Sequence, residues 1–133
     1  MSEEKKIKVV LLEPGKLART AEIGTSIEDL QNAVDGLIEP FYPFEEQVCI
    51  VCNDEGKING MLPNRSVKNK DGVMVDFIFG PAFICDCRGE SFDSLSDELL
   101  ARYTKMFRYP EHLARLNGKL IGIPFNPQRE HER

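Results

Sequence analysis

Two short, nearly continuous apolar runs constrain the fold of this chain more than any other feature. Ile7–Leu12 is rich in β-branched residues and nearly apolar on both faces, and Val48–Asn53 is a second run of the same kind. A strand that is apolar on both faces belongs inside a sheet rather than at its edge. We therefore expect both runs to be strands, with the first at an interior position.

Two more strands are expected nearer the sheet edges. Leu17–Ile23 follows the Pro14-Gly15 turn, and its polar side chains favour an exposed position. Leu37–Phe44 contains Pro40 and Pro43, which have no N–H to donate to a neighbouring strand. This segment is therefore predicted to be an edge strand or a covering loop.

The middle of the chain predicts a hairpin and two further strands. The turn residues Asp54–Gly56 indicate that Lys57–Leu62 returns beside Val48–Asn53. Val73–Phe79 and Ala82–Cys87 are apolar segments on either side of a Gly-Pro break. They are predicted to be separate strands or one strand around a bulge.

Capping residues and apolar spacing indicate two main helices. The first begins at Thr25 or Ser26, each of which can form a capping box with the acidic residue three positions on. The second begins near Ser94 or Ser96 and ends before Pro110. The side chains expected on their buried faces are Ile27, Leu30 and Val34 in the first helix, and Leu95, Leu99, Tyr103, Met106 and Phe107 in the second.

The order of these elements predicts an α+β protein with a mainly antiparallel sheet and helices on one face. A closed or strongly curved sheet is left open as an alternative. A short C-terminal helix is also predicted, at Glu111–Asn117, with Gly118 as its stop. We expect a single domain over residues 1–133, with a core at about 7–117 and a strap and frayed tail at 118–133.

The net charge of −5 and the pI near 5.1 argue against nucleic-acid binding, which needs a basic surface. The charge is nevertheless split along the chain. Residues 99–133 carry seven Lys and Arg against three Glu, whereas residues 1–98 carry ten basic and nineteen acidic side chains. This split fits either a basic face for a polyanion or acidic partner, or an ordinary solvated helix with a charged tail. Nucleic-acid binding by the C-terminal third is the weaker form of the first alternative.

The chain shows no sign of a membrane segment or a targeting signal. No apolar run approaches the length that spans a bilayer, and the first six residues are mostly charged. We therefore expect a cytoplasmic protein with no membrane partner.

The four cysteines are tested first for metal or redox chemistry. Cys49 and Cys52 lie three apart in a predicted strand, so they face opposite sides of the sheet. Cys85 and Cys87 share a face, but two thiolates without further ligands do not make a zinc site. The interpretation is buried free thiols in a reducing compartment, with no metal and no cofactor.

No catalytic arrangement is recognisable in the sequence. The two histidines are His112 and His131, and no serine lies in a nucleophile-elbow motif. The spacing of Gly56 and Gly60 lacks the Lys-Ser/Thr pair of a phosphate-binding loop. A pair of carboxylates brought together by folding stays open, since sequence does not fix such distances.

The stretch Asn53–Arg65 is the densest cluster of turn formers and hydrogen-bonding side chains in the chain. Asn53, Asn64 and Arg65 are candidate ligand-binding residues, and Arg65 could hold a carboxylate or phosphate with two hydrogen bonds. The alternative is structural, because Asn, Asp and Gly dominate turns for local reasons. In that case Asn64 caps backbone after a proline and Arg65 pairs with a nearby acid.

Two regions are candidates for contact with a protein partner. Phe41 and Tyr42, with Phe44 close by, form an aromatic set that is either an exposed patch or a lid on the core. Arg102 and Lys105 lie on the basic second helix. We predict that a protein partner, not yet identified, contacts these residues.

As a set, several short motifs resemble those of the uncharacterised domain-of-unknown-function family 3846, which occurs in bacteria and their phages and mobile elements. The similar segments are Glu13–Lys16, Leu30-Gln31 with Val34–Glu39, Asn53–Lys57 with Pro63–Arg65, and Gly80-Pro81. The family usually has Gly-Gly where this chain has Asp35-Gly36. The resemblance implies a small α+β module, often encoded on mobile DNA, and implies no activity and no catalytic residue.

Two hypotheses of function follow. The first is a non-catalytic interaction or regulatory module, an accessory protein of a phage or mobile element. The second is a small-molecule binder or small enzyme that uses the Asn53–Arg65 region.

Overall fold

An open antiparallel sheet of five strands forms the centre of the structure, a computed structural model that describes residues 5–128. Its strands lie in the order β2-β1-β7-β4-β3, and β5–β6 and β8–β9 form two separate antiparallel pairs. The α+β class, the mainly antiparallel sheets and the two main helices are confirmed for these residues. The elements in chain order are β1 Lys6–Leu12, β2 Arg19–Gly24, α1 Ile27–Val34, β3 Ile38–Phe41, β4 Val48–Asn53, β5 Pro63–Lys68, β6 Met74–Phe79, β7 Ala82–Asp86, α2 Asp97–Met106, β8 Glu111–Leu116 and β9 Lys119–Pro124.

The two apolar runs occupy inner positions of this sheet. β1 lies between β2 and β7, and β4 lies between β7 and β3. The more polar β2 and the proline-containing β3 form the two edges, as their sequences predict. The sheet neither closes nor curls, so the alternative of a closed or strongly curved sheet is not confirmed.

Helices cover both faces of the five-stranded sheet, so the expectation of helices on one face is wrong. Ile7 and Val9 of β1 pack with Leu30 and Val34 of α1 in one core cluster. The alternating residues Val10 and Leu12 pack in a second cluster, with Leu100, Tyr103 and Phe107 at α2. Strands that are apolar on both faces need cover on both sides, which is the physical reason for this arrangement.

Capping residues start both helices where the sequence places them. The Ser26 hydroxyl accepts a hydrogen bond from the N–H of Asp29, and the Ser96 hydroxyl accepts one from the N–H of Leu99. The apolar faces differ in detail from the expectation. Ile27 is 60% exposed at the first turn of α1, and Met106 is 56% exposed at the end of α2.

The predicted C-terminal helix at Glu111–Asn117 is wrong, because this segment is strand β8. It pairs with β9 over the full length of both strands. Asn117 and Gly118 have φ values of 51° and 80°, and two successive residues with positive φ make the tight turn that suits a hairpin. The Asn-Gly pair is therefore a hairpin turn rather than a helix stop.

The predicted hairpin partner of β4 is also wrong, because Lys57–Leu62 forms no strand. Residues 54–60 form consecutive turns, in which the N–H of Asn59 bonds to the carbonyl of Glu55 at 2.8 Å. The next strand, β5, pairs with β6 in a separate sheet. Val67 and Ile78 of that sheet join the core cluster at α2.

The C-terminal part holds more regular structure than a strap. β9 continues as far as Pro124, and the N–H of Phe125 bonds to the carbonyl of Pro110 at 3.0 Å. The predicted frayed tail and His131 lie outside the described residues, apart from Gln128. Neither α1 nor α2 is long and apolar enough to cross a membrane. That the whole chain is a single domain stays a prediction.

Candidate functional site

Arg65 is fully buried, and backbone carbonyl groups surround its guanidinium. Its Nε donates to the carbonyl of Phe107 and its Nη2 to that of Lys16, both at 2.6 Å. Longer bonds reach the carbonyls of Glu13 at 3.2 Å and Arg108 at 3.4 Å. Burial lowers the pKa of Arg65 to about 10, so the side chain stays charged at neutral pH. Arg65 thus ties the turn after β1 to the end of α2.

Asn64 is fully buried beside Arg65 and joins two further segments. Its Nδ2 donates to the carbonyls of Leu12 and Gly80, both at 2.8 Å. Its Oδ1 accepts a hydrogen bond from Nη1 of Arg65. The amide group therefore connects the end of β1 to the break between β6 and β7.

Asn53 closes the C-terminal end of α1. Its Nδ2 donates to the carbonyls of Val34 at 3.1 Å and Asp35 at 3.0 Å, groups that lack partners within the helix. Its Oδ1 accepts from the N–H of Glu55 at 2.8 Å, which fixes the turn after β4. Asx turns of this kind are ordinary local structure.

Folding thus brings the three candidate ligand-binding residues into structural networks. Asn53 lines a small cavity of about 200 Å³, whereas Asn64 and Arg65 line none of the three cavities described for residues 5–128. The predicted pairing of Arg65 with a nearby acid is replaced by hydrogen bonds to backbone carbonyls. A ligand-binding role for these residues stays a prediction.

The largest of the three cavities is a groove of about 800 Å³ between α2, β5 and the loop after β3. Its aromatic floor, defined as Phe44, Tyr103 and Phe107, is closely packed. The ring centroid of Phe44 lies 4.9 Å from that of Tyr103 and 6.2 Å from that of Phe107. Charged side chains from α2, the loop, β5 and β8 surround the floor. A concave apolar surface with a few fixed polar groups is the usual form of a binding site.

Glu46 is held at the groove by two donors from α2. The Tyr103 hydroxyl and Nη1 of Arg102 both donate to Oε1 of Glu46 at 2.6 Å. The bond from Tyr103, followed by that from Arg102, lowers the pKa of Glu46 below its usual value. Burial, and then the bond to Glu46, raises the pKa of Tyr103. At neutral pH this is a fixed carboxylate with a protonated phenol, an arrangement suited to binding.

Glu111 is a second fixed carboxylate of the groove. The N–H of Ser66 donates to Oε1 of Glu111 at 3.1 Å, and the Ser66 hydroxyl donates to the same atom at 2.6 Å. The carboxylate rests against Gly122, where a Cβ would collide with Oε1. A glycine at position 122 is therefore needed to seat Glu111 in this position.

The predicted partner-contact residues divide between the groove and its surroundings. Arg102 lines the groove, together with Phe44 of the aromatic set. Phe41 is half-buried and packs against the core cluster at α2, while Tyr42 is 63% exposed. Lys105 is exposed in the last turn of α2. Their contact with a partner stays a prediction.

The four cysteines are free, but only Cys49 and Cys85 are buried as predicted, whereas Cys52 and Cys87 are half-buried. Cys49 and Cys85 are opposite each other on β4 and β7, with their sulfur atoms 3.7 Å apart. Burial raises the pKa of Cys52 to about 11 and that of Cys87 to about 11, so both are thiols rather than thiolates at neutral pH. Within residues 5–128 no group of three His, Cys, Asp or Glu side chains is arranged to hold a metal ion.

Sequence reasoning missed Glu46, Ser66 and Glu111, which organise the groove. The reason is distance along the chain, since Glu46 is 57 residues from Tyr103 and Ser66 is 45 from Glu111. One signal is present in the sequence: Glu46 lies two residues after Phe44 of the aromatic set, in a loop rather than a strand.

The structure is thus a small α+β protein with a sheet covered on both faces and a groove with polar walls. The chain belongs to the family described as Domain of unknown function (DUF3846), which matches residues 7–108. This confirms the family to which its motifs are similar. The match covers α2, β5 and the loop after β3 but ends before β8, so Glu111 lies outside it. No curated protein and no solved structure matches the chain.

Proposed function

We propose that this protein is a non-catalytic interaction module that binds an extended segment of a protein partner in the groove. The observation that carries the proposal is the packed aromatic floor beside two carboxylates that hydrogen bonds hold in place. Tyr103 and Phe107 are buried in the core, so the apolar surface offered to a partner comes from the half-buried Phe44 and the exposed Met106. A volume of about 800 Å³ accommodates several residues of a peptide.

The groove also connects the proposal to the predicted contact residues. Arg102 lines the groove. Tyr42 and Lys105 are exposed, and each is the sequence neighbour of a residue that lines it, Pro43 and Met106. Glu46 keeps Arg102 in one orientation, since the ion pair has an N–O distance of 2.6 Å. A fixed side chain loses less freedom on binding than a mobile one, which favours affinity.

Met106 offers the most direct test, because it lines the groove and is 56% exposed. Peptides are first selected by display of random sequences on the immobilised protein. We expect Met106→Arg to weaken the binding of the selected peptides by about tenfold or more, because the long cationic side chain obstructs the apolar surface. Fluorescence polarisation measures the dissociation constants.

Ile27→Arg is the matched control, since Ile27 also lies on a helix and is 60% exposed, away from the groove. It should leave binding unchanged. Equal loss of binding in the two variants, or selection of peptides that neither variant affects, would place the interaction elsewhere and refute the proposal.

A second candidate function is small-molecule binding at the Asn53–Arg65 stretch. The smaller cavity of about 200 Å³ supports it, because Asn53 and Lys57 line that cavity with Glu39 and Asp54. A bound ligand would raise the thermal unfolding midpoint of the wild type and leave that of Lys57→Met unchanged. A panel of small polar metabolites that shifts neither protein would count against this candidate.

Location and origin are also proposals. The four free thiols support a cytoplasmic location, since reducing compartments keep cysteines free. An origin on a phage or mobile element rests on the family resemblance. Cell fractionation and the genes beside the coding sequence test these two points.

A further inference from the structure

We infer that the groove recognises a basic side chain, lysine or arginine, of the bound segment, and that Glu111 is the group that binds it. This inference rests on the proposed function and specifies the chemistry of the partner. It is drawn from the pairing of charges in the groove, the rigidity of Glu111 and the aromatic floor.

The charges that line the groove are mostly matched within the protein. Lys70 pairs with Glu45 at 3.3 Å, and Arg102 pairs with Glu46 at 2.6 Å. The buried cation of Arg65 lies near enough to Glu111 that this carboxylate opposes the lowering of the pKa of Arg65 by burial. Among residues 5–128, Glu111 nevertheless forms no direct ion pair, and the hydrogen bonds it accepts all go to Oε1. Its other oxygen, Oε2, is therefore available to a cation from a ligand.

Glu111 is fixed in place before any ligand arrives. Two hydrogen bonds from Ser66 hold Oε1, which occupies space that a side chain at position 122 would fill. A group that is already oriented binds at a lower entropic cost than a mobile one. With Oε1 occupied, the remaining oxygen suits a single charge-assisted hydrogen bond, which both ammonium and guanidinium groups donate.

The aromatic floor suits the rest of a basic side chain. Lysine and arginine have long apolar stems that pack on apolar surfaces, and their cations are attracted to aromatic faces. Phe44, which is half-buried, provides such a surface in the same groove as Glu111.

The competing possibility is that the groove binds an acidic segment of a partner, through Lys68. This lysine lines the groove on β5 and forms no ion pair among the residues that the structure describes. Unlike Glu111, it is exposed and, within residues 5–128, its ammonium group donates no hydrogen bond that would orient it. A mobile ammonium is a weaker determinant of specificity than a fixed carboxylate, so we favour the basic side chain.

Three capped amino acids test the inference on the intact protein. N-acetyl-arginine methylamide is the probe, N-acetyl-citrulline methylamide is its neutral isostere, and N-acetyl-glutamate methylamide is the acidic control. The backbone N–H of Ser66 reports on the site by NMR, since it bonds directly to Glu111. We expect a saturable shift of this signal at millimolar arginine probe, with no shift from the citrulline probe.

Glu111→Gln removes the charge and keeps an oxygen that can accept the bonds from Ser66. It should abolish the response to the arginine probe and raise the dissociation constants of the selected peptides about tenfold. Glu28→Gln is the matched control, because this exposed carboxylate lies on α1, away from the groove, and it should change neither result. Equal shifts from the arginine and citrulline probes, or stronger binding of the glutamate probe, would overturn the inference.

The same peptides separate this inference from the proposed function. If Met106→Arg abolishes their binding while Glu111→Gln does not, the groove is a binding site and the basic recognition is wrong. If Met106→Arg has no effect, the proposed function fails as well. Enrichment of lysine or arginine at one peptide position, lost in selection against Glu111→Gln, is the result that supports both.

Discussion

At the scale of single residues, Arg65 shows how a side chain that looks functional can be structural. A buried cation is expensive unless strong acceptors surround it, and here the acceptors are backbone carbonyls from two distant segments. The same bonds satisfy carbonyls at the end of α2 that the helix itself leaves open. An arginine is required because its planar group reaches several acceptors at once.

We therefore predict that Arg65→Ala lowers the free energy of unfolding by about 3 kcal/mol or more, through unsatisfied carbonyls and an unfilled cavity. Arg65→Lys keeps the charge but reaches fewer carbonyls, so its loss should be smaller. Urea denaturation followed by circular dichroism measures both. A loss below about 1 kcal/mol for Arg65→Ala would contradict the structural role.

The carboxylate of Glu46 makes the stability of the fold depend on pH. Its pKa is lowered in the folded state, so its carboxylate adds stability above the ordinary pKa of 4.5. That contribution is lost as the pH falls through the lowered value. The side chain is 41% exposed, so solvent screening keeps the contribution small.

Glu46→Gln should accordingly be less stable than the wild type by about 0.5–1 kcal/mol at pH 7, with the difference vanishing in acid. Denaturant unfolding at a series of pH values between neutral and acid measures the gap. Glu45→Gln, at the exposed rim, should show almost none. A gap that is constant with pH would exclude the carboxylate as its cause.

At the scale of elements, the hairpin of β8 and β9 depends on its two-residue turn. Gly118 has a φ of 80°, a conformation that is unfavourable for residues with a side chain. We predict that Gly118→Ala destabilises the hairpin by about 1 kcal/mol and speeds hydrogen exchange in β8 and β9. Gly89→Ala is the control, because space around Gly89 is open and its φ is not positive. Equal exchange in the two variants would count against the turn assignment.

Some elements could be predicted from the sequence and others could not. The strands β1 and β4 and the capped helices α1 and α2 have strong local signals, and each lies where those signals indicate. For Glu111–Leu116, the Asn-Gly pair that follows fits both a helix stop and a hairpin turn. The helix was the wrong choice because the pairing with β9 overrides local preference.

The site was harder to predict than the strands. The sequence indicates a site at Asn53, Asn64 and Arg65 because their side chains can form many hydrogen bonds. In the fold they form these bonds mostly with the protein's own backbone. Ser66 and Glu111 are inconspicuous in the sequence and meet only in the folded protein. Hydrogen-bonding capacity can thus be recognised from sequence, whereas its partner is decided by tertiary structure.

At the scale of the whole molecule, the two-sided core explains where the groove lies. The five-stranded sheet uses α1 to cover one face, and α2 with β5 and β6 to cover the other. Because separate elements cover this second face, a groove is left between two of them, α2 and β5. Sites at the junction of separately packed elements are common for this reason.

The central claim is that a partner segment binds in this groove, and hydrogen exchange of the complex with a selected peptide tests it most directly. We expect backbone amides to exchange more slowly at residues 43–46, 66–72 and 102–107, where loop, strand and helix line the groove. Exchange in α1 and β2 should be unchanged. Protection confined to α1 or to the edge strand β2, with none around the groove, would contradict the account.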